Sequence, residues 1–381
     1  IVILIMILKK SNTTQHTKSL KDSSKKISIT YRKSTKNLNI PPPFLSINKL
    51  PFLIAEIGGN HEGDFSKAKK YLELAIESGV DCVKFQLYKA DSLVNKKLSP
   101  KRHKHYKKFE LLKSEHIELA KICINNKIKY NASVWDLEML EWIDEYLDFY
   151  KIGSGDMTCW PLIEEFAKRG KPILLSTGLS NYNEVLKTIE FIREVNSDYI
   201  NDNMLCVLQC TSMYPISYSD VNLNVINEFK KIKNITVGYS DHTIGDEALI
   251  AATTLGCSVL EFHFTDSRKN KEFRDHQVSL TKDEVKGLIK KVKKVKSILG
   301  TVSKKLLKIE KENKHHISFR RGIYPKTKIK KGQIIKENDL IFLRPLKGTD
   351  ARNYQKVIGS TSLSDIEPLQ PLYENKDYKI E

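Results

Sequence analysis

From residue 51 onward, short β-branched runs alternate with helical stretches eight times. The runs expected to be strands cover 52–58, 82–88, 129–135, 149–155, 172–178, 206–212, 236–242 and 259–265. The stretches with helical periodicity cover 66–78, 114–126, 136–146, 160–169, 182–195, 222–231, 246–256 and 281–299. Strand–helix–strand alternation of this kind builds a parallel sheet with helical crossovers. Eight units is the number that closes a (β/α)8 TIM barrel, and 381 residues suit one such barrel plus a small domain. The competing architecture is an open doubly wound sheet. Its Gly-rich fingerprint is missing after the first strand, where the chain reads Ile57-Gly-Gly-Asn-His61.

Periodicity changes after Lys314. Residues 315–376 carry short apolar runs separated by turns such as Lys331-Gly332, Arg344-Pro345 and Glu367-Pro368, the pattern of a small β-rich domain. Polar residues 300–314 form the expected linker, so the barrel domain covers 46–299. Residues 1–45 read differently again. An eight-residue apolar start, too short to span a bilayer, precedes a Lys-, Ser-, Thr- and Asn-rich stretch expected to be disordered or non-native.

The net charge of +18 is uneven: residues 1–50 hold ten Lys/Arg against one Asp. The rest of the excess lies in Lys-rich helices such as 286–308, where Lys alternates with Leu, Ile and Val. Without interleaved aromatics or Gly motifs this reads as a solvated face and not as a nucleic-acid surface. A diffuse positive field favours anionic small substrates. The six cysteines, at 82, 123, 159, 206, 210 and 257, contain no Cys-x-x-Cys pair and read as buried free thiols of a reducing, cytoplasmic setting.

In a barrel of this kind the active site lies at the C-terminal ends of the strands. Polar residues collect there. Glu56 stands inside the first strand and Lys84 inside the second, where an unpaired charge is costly to bury. Strand four runs Lys151-Ile-Gly-Ser-Gly-Asp156, offering an ammonium, the Ser154 hydroxyl and backbone N–H groups to a phosphate. Strand five ends in Ser176-Thr-Gly178. Strand six runs into a turn that carries Ser212 and Tyr214, both substrate-binding candidates. His242 ends strand seven, and Glu261 and His263 share one face of strand eight with Phe262 between them. A lone strand histidine is more often a satisfied core group. Two histidines and a glutamate on successive strand ends favour a divalent metal held by neutral imidazoles. A cationic half facing a metal-binding half suits a phosphorylated three-carbon donor and a carbonyl acceptor.

These stretches, Ile54-Ala-Glu-Ile-Gly-Gly-Asn-His61, Val83-Lys-Phe-Gln86, Lys151-Ile-Gly-Ser-Gly-Asp156, Ser176-Thr-Gly178, Gly238-Tyr-Ser-Asp-His-Thr243 and Leu260-Glu-Phe-His-Phe-Thr-Asp266, resemble the sialic acid synthase family. Its members are phosphoenolpyruvate-dependent synthases of nine-carbon 2-keto acids. The runs Phe319-Arg-Arg-Gly-Ile-Tyr324, Lys328-Ile-Lys-Lys-Gly-Gln333 and Leu343-Arg-Pro345 resemble the family's antifreeze-like SAF domain. The resemblance implies a transferase that condenses phosphoenolpyruvate with the open-chain aldehyde of an N-acetylated amino sugar of the N-acetylmannosamine type, releasing phosphate by C–O cleavage. It implies His242 and His263 as ligands of Mn2+ or Mg2+, Glu261 beside them for proton transfer, and Glu56 as the carboxylate that handles water or a proton. It assigns Lys84, Lys151, Ser154 and Ser176 to phosphoenolpyruvate and Asp275 to a sugar hydroxyl. It further implies a domain-swapped homodimer in which Arg320 or Arg321 reaches the partner's sugar pocket.

The chain departs from the family pattern at Phe262, where Lys or Arg is usual, and in strand three, Asn131-Ala-Ser-Val-Trp-Asp136, where many members carry Ser-Thr-Pro. The segment 268–274 is more charged than the usual turn. An acceptor leading to legionaminic or pseudaminic acid is therefore a second expectation. A silent sugar-phosphate-binding protein and an ice-binding SAF surface are the readings from other classes.

Overall fold

The computed structural model describes residues 50–201 and 204–380. The extension expected over 1–45 lies outside the described residues. The chain divides into two compact units between Val285 and Lys286, inside the helix Lys282–Leu299, whereas the sequence reading ends the barrel domain where that helix ends.

The first unit is a (β/α)8 barrel. Its strands are β1 (Phe52–Gly58), β2 (Cys82–Leu87), β3 (Lys129–Val134), β4 (Tyr150–Ile152), β5 (Ile173–Ser176), β6 (Leu205–Gln209), β7 (Thr236–Asp241) and β8 (Val259–His263). They run parallel in the order β3-β2-β1-β8-β7-β6-β5-β4. The seam between the two end strands is bridged by a side chain, with Asn131 Nδ2 donating to the Phe149 carbonyl at 2.8 Å.

Alternation along each strand builds two storeys on the same face. Phe52, Ile54, Cys82, Phe149, Leu174, Cys206, Leu208 and Val259 form one buried apolar cluster. Continuing the same alternation toward the C-terminal ends gives Glu56, Lys84, Ser176, Ser240, His242, Glu261 and His263. The apolar storey supplies burial energy and closes the floor, and the polar storey stands on it.

Three observations differ from the sequence reading. Strand β4 stops at Ile152 and Ser154–Asp156 form a 3-10 turn, because the Gly-Ser-Gly run leaves the ladder early. The helix Pro100–Phe109 has no counterpart among the expected helices, since Tyr106 and Phe109 are its only apolar residues after the N1 proline. Among the cysteines five are buried and Cys159, at the N-cap of the helix Trp160–Arg169, is exposed. No helix among the described residues is long and apolar enough to cross a membrane.

The second unit pairs β9 (Gly322–Pro325) antiparallel with β10 (Leu340–Leu343), and β11 (Thr361–Ser362) with β12 (Tyr378–Lys379). Ile323, Ile329, Ile335, Leu340, Val357, Ile366, Leu372 and Tyr378 form its own core.

Candidate active site

Parallel register puts Glu56 level with Lys84 on one side and His263 on the other. Ser240 is level with Glu261 in the next pair. Glu56, Lys84, Lys151, Ser176, His242, Glu261, His263 and Asp275 are all at most 5% exposed. A buried set of this charge is stable only if its members satisfy one another.

One half does so. Lys84 Nζ forms a short ion pair with Glu56 Oε2 and lies 4.0 Å from Glu261 Oε2. Lys151 Nζ donates to Ser176 Oγ at 2.7 Å and lies 3.5 Å from Glu261 Oε1, which also accepts from Ser240 Oγ at 2.9 Å. Gln86 Nε2 donates to Glu56 Oε1 at 3.3 Å. Gly58, at φ +55°, has to be glycine twice over, because a Cβ there would stand 2.9 Å from Glu56 Oε1. Burial pushes the Glu56 carboxyl up to about 7, against the pull of Lys84. Glu261 meets the same burial but is held below the usual carboxylate range by Lys151, Lys84 and the Ser240 hydroxyl. Two neighbouring carboxyls are thus pushed in opposite directions, which is how a site separates an acid/base group from a fixed charge.

The other half is built from imidazoles. The rings of His242 and His263 are 5.3 Å apart, and Tyr214 packs on both, at 4.0 and 5.5 Å. Burial lowers the pKa of both histidines, so both are neutral. His242 Nδ1 donates to the Thr211 carbonyl at 2.7 Å, which leaves its Nε2 as a bare lone pair. His263 Nδ1 is buried without a hydrogen-bond partner and lies 3.9 Å from Asp275 Oδ2. Neutral, oriented nitrogen donors with one orphaned nitrogen fit a borderline divalent cation. No group of three or more His, Cys, Asp or Glu side chains forms a ready cage among the described residues. A cation here would therefore have His242 and His263 as its protein donors, with coordination positions left for other oxygens.

Of the other residues picked from sequence, Ser154 Oγ accepts from Gly178 N at 3.1 Å, and a Cβ on Gly178 would meet both Ser154 and Ser212. Ser154 and Ser212 thus flank Gly178, while Ser176 holds Lys151. Arg274, whose guanidinium sits 4.5 Å over the Tyr214 ring, also bonds Asp275 Oδ1 at 3.2 Å. Arg320 and Arg321 belong to the second unit and are exposed there, with Arg321 Nη1 donating to the Phe342 carbonyl. Phe262 is buried and alternates away from Glu261 and His263.

Sequence reasoning missed Ser240, Thr211 and Cys210, whose Sγ lies 3.9 Å from His242 Nδ1. Alternation back from His242 would have found Ser240. Thr211 acts through its backbone carbonyl, which no side-chain pattern reveals. Asn60, fully buried, donates to the Phe264 carbonyl and to Ser279 Oγ, both at 2.9 Å, and so clips the first loop to the last.

Known proteins share this sequence pattern and this barrel. A sequence model of the NeuB family matches residues 71–304, and that of the SAF domain matches 320–376. The chain is 34% identical over 324 residues to the N,N'-diacetyllegionaminic acid synthase of Campylobacter jejuni, covering 82% of this chain and 95% of that one. It is 31% identical over 347 residues to the N-acetylneuraminate-9-phosphate synthase of Homo sapiens, covering 86% and 94%. The crystal structure of N-acetylneuraminic acid (sialic acid) synthetase from Leptospira borgpetersenii in complex with citrate superposes with a TM-score of 0.65 at 26% identity, covering 71% of this chain and 92% of that one.

Proposed function

Since the chain belongs to the NeuB family, we propose that it is a nonulosonic acid synthase, a carbon–carbon bond-forming transferase that joins phosphoenolpyruvate to the aldehyde of an N-acetylated amino sugar. The observation that carries this reading is the level placement of Glu56 between Lys84 and His263, with Lys151–Ser176 and His242 on either flank. The site then has an anion-accepting side and a carbonyl-activating side within one storey of a barrel.

In the reaction, C3 of the enol phosphate forms a bond to the aldehyde carbon, and the aldehyde oxygen takes up a proton. Water adds to the cation left at C2, losing a proton. The C–O bond to phosphate then breaks as the C2 hydroxyl gives its proton to the departing phosphate, leaving a 2-keto acid and inorganic phosphate. Lys84, Lys151, Ser154 and Ser176 bind the phosphate and carboxylate and hold the donor in place. Arrival of these anions draws Lys84 away from Glu56, and the weakened ion pair raises the carboxyl further. Glu56 is then the group that gives and takes the proton. Glu261, held ionised, faces the developing positive charge at C2 as an electrostatic stabiliser. Asp275 and Tyr214 orient the sugar. Mn2+ or Mg2+, when bound by His242 and His263, supplies Lewis-acid polarisation of the aldehyde.

The acceptor is an N-acetylmannosamine-type sugar in the first instance. A diacetamido-6-deoxy sugar is the second reading, favoured by the likeness to the Campylobacter enzyme. The protein works as a domain-swapped homodimer in which an arginine of the second unit completes the partner's sugar pocket. Phosphate release from phosphoenolpyruvate, measured across a panel of N-acetylated hexosamines with and without Mn2+, tests the proposal. Metal-stimulated release with one of the sugars is expected. Absence of release with every sugar, in the presence of metal, would overturn the synthase reading.

A further inference from the structure

Asn131, Ser133 and Trp135 alternate along strand β3 and its one-residue continuation, where Trp135 N still bonds the Leu87 carbonyl at 3.0 Å. Trp135 therefore stands one step beyond Ser133 on the face that carries the site. Its indole is wedged from behind: the ring stacks on Tyr88 at 5.3 Å and meets Tyr106 edge-on at 6.5 Å. Two aromatic contacts fix its direction. Its Nε1 is buried and has no hydrogen-bond partner. An indole N–H has no acceptor capacity and finds a partner when buried, so an orphaned one calls for an explanation.

The position of the Nε1 supplies one. A Cβ built on Gly153 would lie 3.9 Å from it, so the N–H borders the turn Gly153-Ser154-Gly155, and a Cβ on Gly155 would meet nothing within 4 Å. Beside this turn lie the Ser154 hydroxyl, already bonded to Gly178 N, and Lys151 on β4. An unpartnered donor thus borders a glycine-bordered turn close to an ammonium, which is the setting of a bound oxyanion. Asp156 Oδ2 also lies near Gly153, 3.7 Å from the same Cβ position, without bonding the indole.

We infer that Trp135 is a binding residue for the phosphoryl group, its Nε1–H donating to a phosphate oxygen at the Gly153-Ser154-Gly155 turn. The inference rests on the synthase reading for the identity of the donor substrate and not for the presence of the oxyanion.

Trp135→Phe keeps the packing on Tyr88 and removes the N–H. It is expected to raise KM for phosphoenolpyruvate about tenfold, the size of one hydrogen bond to a charged group, with kcat and sugar KM within about twofold. A phosphoenolpyruvate KM within twofold of the parent, or an equal rise in both KM values, would overturn the assignment. An independent reading uses the double variant Trp142→Phe, Trp160→Phe, in which Trp135 is the only tryptophan. Its emission is expected to change saturably on titration with inorganic phosphate or phosphoenolpyruvate and not with chloride at equal ionic strength. If the parent enzyme turns over no sugar, the synthase reading fails and this titration alone decides. A flat emission with phosphate then removes the site as well.

Discussion

The two halves of the site meet the same cost of burial in opposite ways. Around Lys84 and Lys151 every charge has an opposite charge or a hydroxyl within reach, although Glu56 Oε2 and Glu261 Oε2 are held by charge and accept no hydrogen bond. Around His242 and His263 the partners are a backbone carbonyl and the more distant Asp275, 3.9 Å from His263 Nδ1. The groups are kept neutral by desolvation, and one nitrogen is left without a partner. On the proposed function, the first half would exchange partners when an anion arrives, and the second would offer its nitrogens to a cation.

The largest expected effect tests the second half. His242→Ala and His263→Ala should each lower metal-stimulated turnover by at least about a thousandfold, the scale of losing carbonyl polarisation. Near-parental rates for either variant in chelator-treated buffer would break the contrast, since that half would then have no need of a cation.

Next comes Lys84→Met, measured at about pH 8, where Glu56 is ionised and the variant leaves this buried carboxylate without its ion-pair partner. Removing one member of a buried pair costs about 3–5 kcal/mol, so urea midpoints should fall accordingly. Adding Glu56→Gln should restore most of the loss. If the double variant is no more stable than the single one, the two groups are not a mutually satisfied pair.

Proton linkage separates the halves by sign. Glu56 holds its proton to about pH 7 in the folded chain but loses it near 4.5 when unfolded. Between these values the folded state binds more protons, so this group lowers stability as pH rises from 4.5 to 7. The buried histidines act the other way. With folded pKa values below 6.5, they contribute stability present above 6.5 and lost as pH falls beneath it. In metal-free buffer, Glu56→Gln should therefore make the slope of unfolding free energy between about pH 5 and 7 more positive, by up to about 1.4 kcal/mol per pH unit. An unchanged slope would mean that Glu56 is ionised throughout.

The smallest effect is expected outside the barrel. Arg321 already donates to the Phe342 carbonyl, while Arg320 lies exposed near the field of Asp350. Arg320→Ala should raise the sugar KM about threefold to tenfold, with Arg321→Ala within about twofold, the range for losing one charge-assisted hydrogen bond. The reverse ranking in steady-state kinetics would move the proposed sugar contact to Arg321.

Alternation and spacing were enough to indicate eight βα units and to nominate Glu56, Lys84, Lys151, His242, Glu261 and His263, because a charged residue inside a parallel strand contradicts its surroundings in one dimension already. The helix Pro100–Phe109 escaped notice because its stabilising face has only two apolar residues. The roles within the site were less legible still. Glu56 and Glu261 look alike in the chain, and only their neighbours separate them: one carboxyl shares a single lysine and an amide, the other collects two lysines and a hydroxyl. The free nitrogen of His242 depends on a carbonyl 31 residues away, and the unpaired indole of Trp135 on a turn of the next strand. Strand period is a local property, so the order of residues alone dictates which side chains stand on the polar storey. Their protonation states and hydrogen-bond vacancies came only with the folded barrel, because those depend on distances across strands that no local pattern encodes.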